Sequence, residues 1–145
     1  MTTLRIFVVF LLAGGLAVIG ALAGENQSPL LPLYERVALA LSADDLAGAQ
    51  AAARNLAAEA AKAADRDMAS SANAVAHAGD LVRARASFKS LSAQAISLAR
   101  HTKGYFILTC PMAQADWVQS TRTVANPYLG QTMLTCGEVK EETKG

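Results

Sequence analysis

The chain predicts a mainly α-helical domain, an antiparallel bundle of three to four helices carrying a small β-hairpin or loop segment at its C-terminal end. Three observations predict it. Alanine supplies 31 of the 145 residues, 24 of them between Ala38 and Ala99, and alanine is the strongest helix former. Apolar residues recur at spacings of three and four through the same stretch, the period of a helix with one buried face. After Gly104 the chain becomes aromatic and β-branched, a composition that fits strands.

The helices read in order. Leu30, Leu33, Val37 and Leu41 mark the first, with Pro32 in its opening turn. Ser42 is the expected N-cap of the second, with Asp44 and Asp45 in the turn that follows, and that helix spans about 43–64. Its inner face (Leu46, Ala49, Ala53, Leu56, Ala60) is mostly alanine, so a neighbouring helix can come close. The polar stretch 65–71 breaks the pattern. A short third helix over 72–78 ends at Gly79, a residue suited to the C′ position. Asp80 caps the last long helix, about 81–101, whose inner face is Leu81, Ala84, Phe88, Leu91, Ala95 and Leu98. Arg83, Arg85, Lys89 and Arg100 fall on its other faces. This spacing describes helices packed antiparallel at shallow angles.

In the C-terminal segment, Tyr105-Phe106-Ile107-Leu108-Thr109 predicts one strand and the region of Trp117-Val118 a second. Asn126-Pro127-Tyr128 with Gly130 predicts a turn, and the last few residues form a charged tail.

Length and charge exclude several classes. The chain is long enough for one domain, not two. With 13 basic and 12 acidic side chains it has no basic stripe, so nucleic acid is not an expected partner. Two cysteines exclude a dense disulfide framework and a four-cysteine zinc site. No nucleophile with a base, paired carboxylates or phosphate-binding loop is present, so an enzyme is not expected. A thiol oxidoreductase is disfavoured because the chain lacks Cys-x-x-Cys.

Residues 6–23 are uncharged and apolar, follow Arg5, and end in Ala21-x-Ala23. This predicts a signal peptide over 1–23 cleaved before Gly24, with an uncleaved membrane anchor as the alternative. Either way the remainder is exported, so the expected location is periplasmic, with no membrane association after cleavage. The expected organisation is then a linker at 24–29, a helical domain at 30–139 containing a Cys/Met segment at 104–137, and a charged tail at 140–145.

Sulfur is distributed unevenly. Met112 and Met133 each lie within three residues of a cysteine, Cys110 and Cys136 respectively. Thiolate plus thioether is a soft donor set, suited to Cu(I) or Ag(I) rather than zinc. In an extended stretch Cys110 and Met112 point to one side, whereas Met133 and Cys136 converge only if their segment turns. His101 is a further nitrogen donor, nine residues upstream. The alternative is a disulfide between Cys110 and Cys136, closing a loop of about 26 residues and stabilising by roughly 3–4 kcal/mol. In an exported protein such a pair is a disulfide by default, and spacing leaves the two readings open.

Cys110-Pro111-Met112-Ala113, Trp117, Asn126-Pro127-Tyr128, Gly130, Met133 and Cys136-Gly137 together resemble a periplasmic domain family of unknown function. Members of that family also occur fused to the adaptor subunits of copper- and silver-efflux pumps. Tyr34, Leu39-Ala40-Leu41, Asp44-Asp45, Ala49 and Leu56 resemble its first helices, and Asp80, Arg85, Phe88 and Leu91-Ser92 its last. The resemblance spans about Leu30 to Gly137. It implies a helical domain associated with copper or related metals, with Cys110, Met112, Met133 and Cys136 as candidate ligands. It also implies that Asn126, Pro127, Tyr128 and Gly130 shape the connecting loop and that Trp117 packs it. A heavy-metal efflux component is the implied partner. The expected function is therefore an exported Cu(I)- or Ag(I)-binding protein that buffers the ion or passes it on. The alternative is a disulfide-stapled structural or adaptor module that binds a protein partner without metal.

Overall fold

The structure, a computed structural model, describes residues 28–145. The expected signal peptide and most of the linker lie outside the described residues. Four helices come first: α1 (Leu30–Ser42), α2 (Leu46–Lys62), α3 (Arg66–Ala76) and α4 (Leu81–Ala99). Three strands follow: β1 (Phe106–Cys110), β2 (Ala115–Gln119) and β3 (Glu138–Glu142), with a 3-10 turn at Gly130–Thr132 between the second and third. The mainly α architecture with a small C-terminal β segment is the predicted one. Among the described residues no helix is long and apolar enough to cross a membrane.

The helices pack in sequence, and α1 also meets α4, closing the bundle. The alanines of α2 that were expected to face inward, Ala49, Ala53 and Ala60, are fully buried beside Leu56. Their lack of bulk lets α1 and α3 pack closely on either side. Tyr34 of α1 and Phe88 and Leu91 of α4 are fully buried, and Tyr34 and Phe88 stack at 5.2 Å between ring centroids.

The helix boundaries differ from the predicted ones, and one turn geometry explains two of the differences. Asp44 and Ala64 both adopt left-handed backbone, φ 59° in each. After each, the next N–H reaches back to a carbonyl five residues upstream: Asp45 to Ala40 at 2.9 Å, and Asp65 to Ala60 at 2.9 Å. These are Schellman ends, which satisfy the orphan carbonyls of a helix terminus. The residue that closes each motif also opens the next helix. Asp45 accepts from the Gly48 N–H and Asp65 from the Met68 N–H. Asp45, not Ser42, is therefore the N-cap of α2. Ser42 ends α1 and returns its hydroxyl to the Leu39 carbonyl at 2.7 Å. The break expected over 65–71 is only the short turn before α3, since the polar residues there face solvent while Met68 is fully buried. At the other end α3 stops at Ala76 with His77 as its C-cap. Gly79 is not left-handed and does not serve as C′. Asp80 caps α4 through the Arg83 N–H, as predicted.

The sheet has the order β2-β1-β3, antiparallel throughout. β1 and β2 form the predicted hairpin, with Cys110 opposite Ala115 and Leu108 opposite Trp117. β3 was not predicted: the chain expected to begin a charged tail at 140 instead pairs with β1. Only Val139 in it is partly covered, so it lacks the apolar alternation by which strands are read. Its charges suit an edge, where they discourage pairing with other chains. Thr143 seals the end, donating to the Thr102 carbonyl at 2.6 Å while its N–H bonds the Tyr105 carbonyl.

Candidate functional site

β1 ends at Cys110, and residues 111–114 turn the chain into β2. Cys110 is fully buried, and its Sγ accepts from the Ala113 N–H at 3.4 Å, doing what a cap side chain does in a turn. Cys136 lies in a separate turn, closed by its N–H on the Met133 carbonyl at 3.0 Å. The two sulfurs lie 3.1 Å apart, both as free thiols. Twenty-five intervening residues thus return to within contact of the point where β1 ends.

Asn126 makes this return possible. It is fully buried, and its Oδ1 accepts from the N–H groups of Tyr128 at 2.8 Å and Leu129 at 3.0 Å, an Asx turn that starts the loop. Its Nδ2 donates to the Cys136 carbonyl at 2.6 Å, and its own N–H bonds the Leu134 carbonyl at 2.8 Å. One side chain therefore holds both ends of the 126–136 loop. Gly130 sits at φ +57°, and a Cβ there would collide with Asp44 and Arg85. Gly137 sits at φ +145°, and a Cβ would come 2.7 Å from the Trp117 ring and 2.9 Å from the Thr109 carbonyl oxygen. Trp117 is fully buried and edges onto Tyr128 at 6.2 Å. Pro127 is buried, and its carbonyl is taken by Arg85 Nε at 3.0 Å. Each loop-shaping residue of the sequence analysis is thus in contact with the loop or its floor.

The thioethers occupy different positions. The extended geometry that placed Met112 on the same side as Cys110 does not hold, because the strand stops at Cys110 and Met112 lies in the following turn. Met112 is 66% exposed and Met133 38%. Both are on the surface, in the turns next in sequence to the two cysteines. His101 precedes β1 while Cys110 ends it, so the length of the strand separates them. His77 is exposed and bonded through Nδ1 to the Asn73 carbonyl at 2.8 Å. Among the described residues no cluster of three or more His, Cys, Asp or Glu could hold a metal ion.

The two thiols differ electrostatically. Burial pushes the Cys110 thiol up, but hydrogen bonds from the Cys136 thiol, the Ala113 N–H, the Asn126 amide and the Met112 N–H outweigh it, and its pKa falls below the ordinary value. Cys136, as the donor in that pair, moves up, and burial and the neighbouring Cys110 charge add to the rise. The surroundings therefore favour the charged form at Cys110 more than at Cys136.

Sequence reasoning left two features unread. Arg85, half-buried, and Lys89, exposed, lie one turn apart on α4 and both reach the C-terminal segment. Lys89 donates to the Ala113 carbonyl at 2.8 Å and lies 6.0 Å from the Tyr128 ring centre. Beside it opens a cavity of about 480 Å³ between α4 and the hairpin, lined by Lys89, Thr109, Cys110, Gln114, Asp116 and Tyr128. Under the site, Ser92 joins the hydroxyls of Tyr34 at 2.7 Å and Tyr128 at 3.0 Å, and Tyr128 also donates to the Asp116 carbonyl. The i,i+4 pairing of Arg85 and Lys89 was a signal for the first; nothing in local spacing marks the second.

A family described as a protein of unknown function, DUF3347, matches residues 30–104. No curated protein and no solved structure matches the chain. The match covers the four helices and ends before β1, so the helical half carries it and not the Cys/Met segment. It takes in just over half of the residues, and the chain belongs to this family of unknown function.

Proposed function

We propose that the domain binds a soft monovalent ion, Cu(I) or Ag(I), through Cys110 and Cys136. The observation that carries this reading is the pair of free thiols 3.1 Å apart at the end of β1. A metal–thiolate bond is about 2.3 Å long, so both sulfurs are within reach of one ion. Such ions accept few ligands and prefer sulfur. The donor set matches that preference: two thiols, with the thioethers of Met112 and Met133 on the adjoining surface turns. As cargo the ion reaches the pair from the exposed side, where the methionines offer a first contact that requires no deprotonation. The Ala113 N–H and the Asn126 amide favour the charged form of Cys110, the form a metal ion takes.

In this reading the protein is exported to the periplasm, buffers the ion and passes it by ligand exchange to a heavy-metal efflux component. The resemblance of the Cys/Met segment, together with the apolar N-terminal stretch ending in Ala21-x-Ala23, supports that context. An anaerobic titration of the reduced protein with Cu(I), against a chromophoric chelator of known affinity, tests it. Tight one-to-one binding is expected, lost in Cys110→Ser/Cys136→Ser and weakened several-fold in Met112→Leu/Met133→Leu. Failure of the reduced protein to compete for Cu(I) would sink the reading.

One observation favours a second reading, a structural or adaptor module. The family match lies wholly on the helices and includes neither cysteine. Under it, the methionine double variant behaves as wild type in every assay and the bundle surface carries a protein partner.

A further inference from the structure

We propose that Cys110 and Cys136 form a reversible dithiol–disulfide pair that exchanges with external thiols and disulfides through Cys136, with Cys110 as the resolving and leaving sulfur. Three observations point the same way. The sulfurs are already in contact at 3.1 Å, about 1 Å beyond a disulfide bond length. They are unequally accessible: Cys110 is fully buried at a strand end, whereas Cys136 is partly exposed. Their supports also differ. Cys110 sits within the β1–β2 ladder opposite Ala115, while Cys136 lies in a turn outside the sheet, tied down mainly through Asn126. The turn can supply the small movement that bond formation requires, and the ladder need not move.

The exchange balances with a disulfide as the only oxidant. Cys136, the accessible sulfur, gives up its proton and attacks one sulfur of an external disulfide, forming a mixed disulfide and expelling one external thiolate, which takes up a proton. The Cys110 thiolate then attacks the Cys136 sulfur, forming the Cys110–Cys136 bond and expelling the second. Two protein thiols become one disulfide, one external disulfide becomes two thiols, and the two protons pass to the departing thiolates. Reduction reverses this. An external thiolate attacks Cys136, the accessible sulfur, and Cys110 leaves as a thiolate into the hydrogen bond of the Ala113 N–H. Access and leaving-group stabilisation both favour this direction of attack. Oxidation removes both thiolates, so the pair also controls whether a soft ion can be held; this consequence rests on the metal-binding reading above, while the exchange itself does not.

The test begins with the metal-free protein in glutathione buffers of graded thiol-to-disulfide ratio, acid-quenched, alkylated and weighed intact. The expected result is a single transition in which both thiols are lost together within the buffer series. Rapid-quench alkylation of the reduced wild-type protein should modify Cys136 at least tenfold faster than Cys110, and Cys110→Ser should trap glutathione on Cys136. If that variant does not fold, the wild-type labelling rates decide. One redox form persisting across the whole series, or equal labelling of the two cysteines, would overturn the proposal. Cu(I) competition on the reduced and oxidised forms separates the two ideas. An exchanging protein whose reduced form ignores Cu(I) retains this proposal and loses the metal reading. A protein that binds Cu(I) but does not exchange does the reverse.

Discussion

Arg85 on α4 forms an ion pair with Asp44, the left-handed residue in the turn between α1 and α2. The same guanidinium donates to the Leu41 carbonyl at 2.9 Å and to the Pro127 carbonyl at 3.0 Å. Asp44 in turn accepts from the Gln131 N–H, and the Gln131 amide donates to the Ser42 carbonyl at 2.8 Å. One side chain therefore ties the helical bundle to the loop that delivers Cys136. The pair is only partly exposed, with the Arg85 side chain at 18%.

Replacing Arg85 with Met keeps much of its aliphatic stem but leaves two carbonyls and a carboxylate without their donor. Hydrogen bonds to charged groups are worth about 1.5–3 kcal/mol, so a loss of roughly 2–3 kcal/mol is expected in urea unfolding. Arg85→Lys should restore only part of it, because one ammonium cannot span the planar set of acceptors. Full stability in Arg85→Met would show that the loop docks without this contact.

Asn126 should matter for the thiols as well as for stability. Asn126→Ala removes the acceptor of two buried N–H groups and the donor to the Cys136 carbonyl. A loss of about 2–4 kcal/mol follows from the unsatisfied groups. Released from this anchor, Cys136 should also react faster with a thiol-specific reagent under native conditions. Unchanged reactivity at reduced stability would mean that the turn at 133–136 positions Cys136 by itself.

Ala64 offers a stabilising change. Its φ of 59° disfavours any residue with a Cβ, it is exposed, and it occupies the C′ position where glycine is preferred. Ala64→Gly should raise stability by about 0.5–1 kcal/mol, less the greater entropy of the unfolded chain. A raised urea midpoint with an unchanged slope is the expected result; a lowered midpoint would contradict it. The same change at Asp44 should destabilise instead, because that residue's carboxylate holds Arg85.

Asp116 makes stability depend on pH. Burial raises its pKa, but the hydrogen bonds from Lys140 and Thr109 and the charges of Lys140 and Arg100 outweigh this, and its folded pKa lies below the ordinary carboxylate value. The folded state therefore binds the proton less readily than the unfolded chain. The contribution is full above the ordinary carboxylate pKa and disappears as pH falls through the folded value. Urea midpoints should drop as the pH is lowered through the acid range, and Asp116→Asn should flatten that part of the profile. An identical acid profile in the variant would assign the dependence to other carboxylates.

The helices were legible because their information is local. The three- and four-residue spacing that marks Leu33, Val37 and Leu41, or Ala84, Phe88 and Leu91, is a property of one segment and the water around it. Asp80 as a cap and Trp117 within a strand follow from the same short-range rules. The boundaries at Asp45 and Asp65 were misread because a Schellman end built on aspartate and alanine carries no glycine to announce it. β3 was missed because an edge strand covered on little of its surface has no apolar rhythm.

The sequence by itself determined that the chain is a helical bundle with a sulfur-bearing β segment, and that its two cysteines and two of its methionines cluster toward the C-terminal end. Only the tertiary structure decided that Cys110 and Cys136 meet while Met112 and Met133 remain on the surface, and that Arg85 turns inward to the loop. The physical reason is range. Helical periodicity is set within a few residues, whereas the closure of the 110–136 segment depends on Asn126, Gly137, Trp117 and Arg85 acting together, and its contacts with the helices span 42 residues from Arg85 to Pro127 and 89 from Ser42 to Gln131.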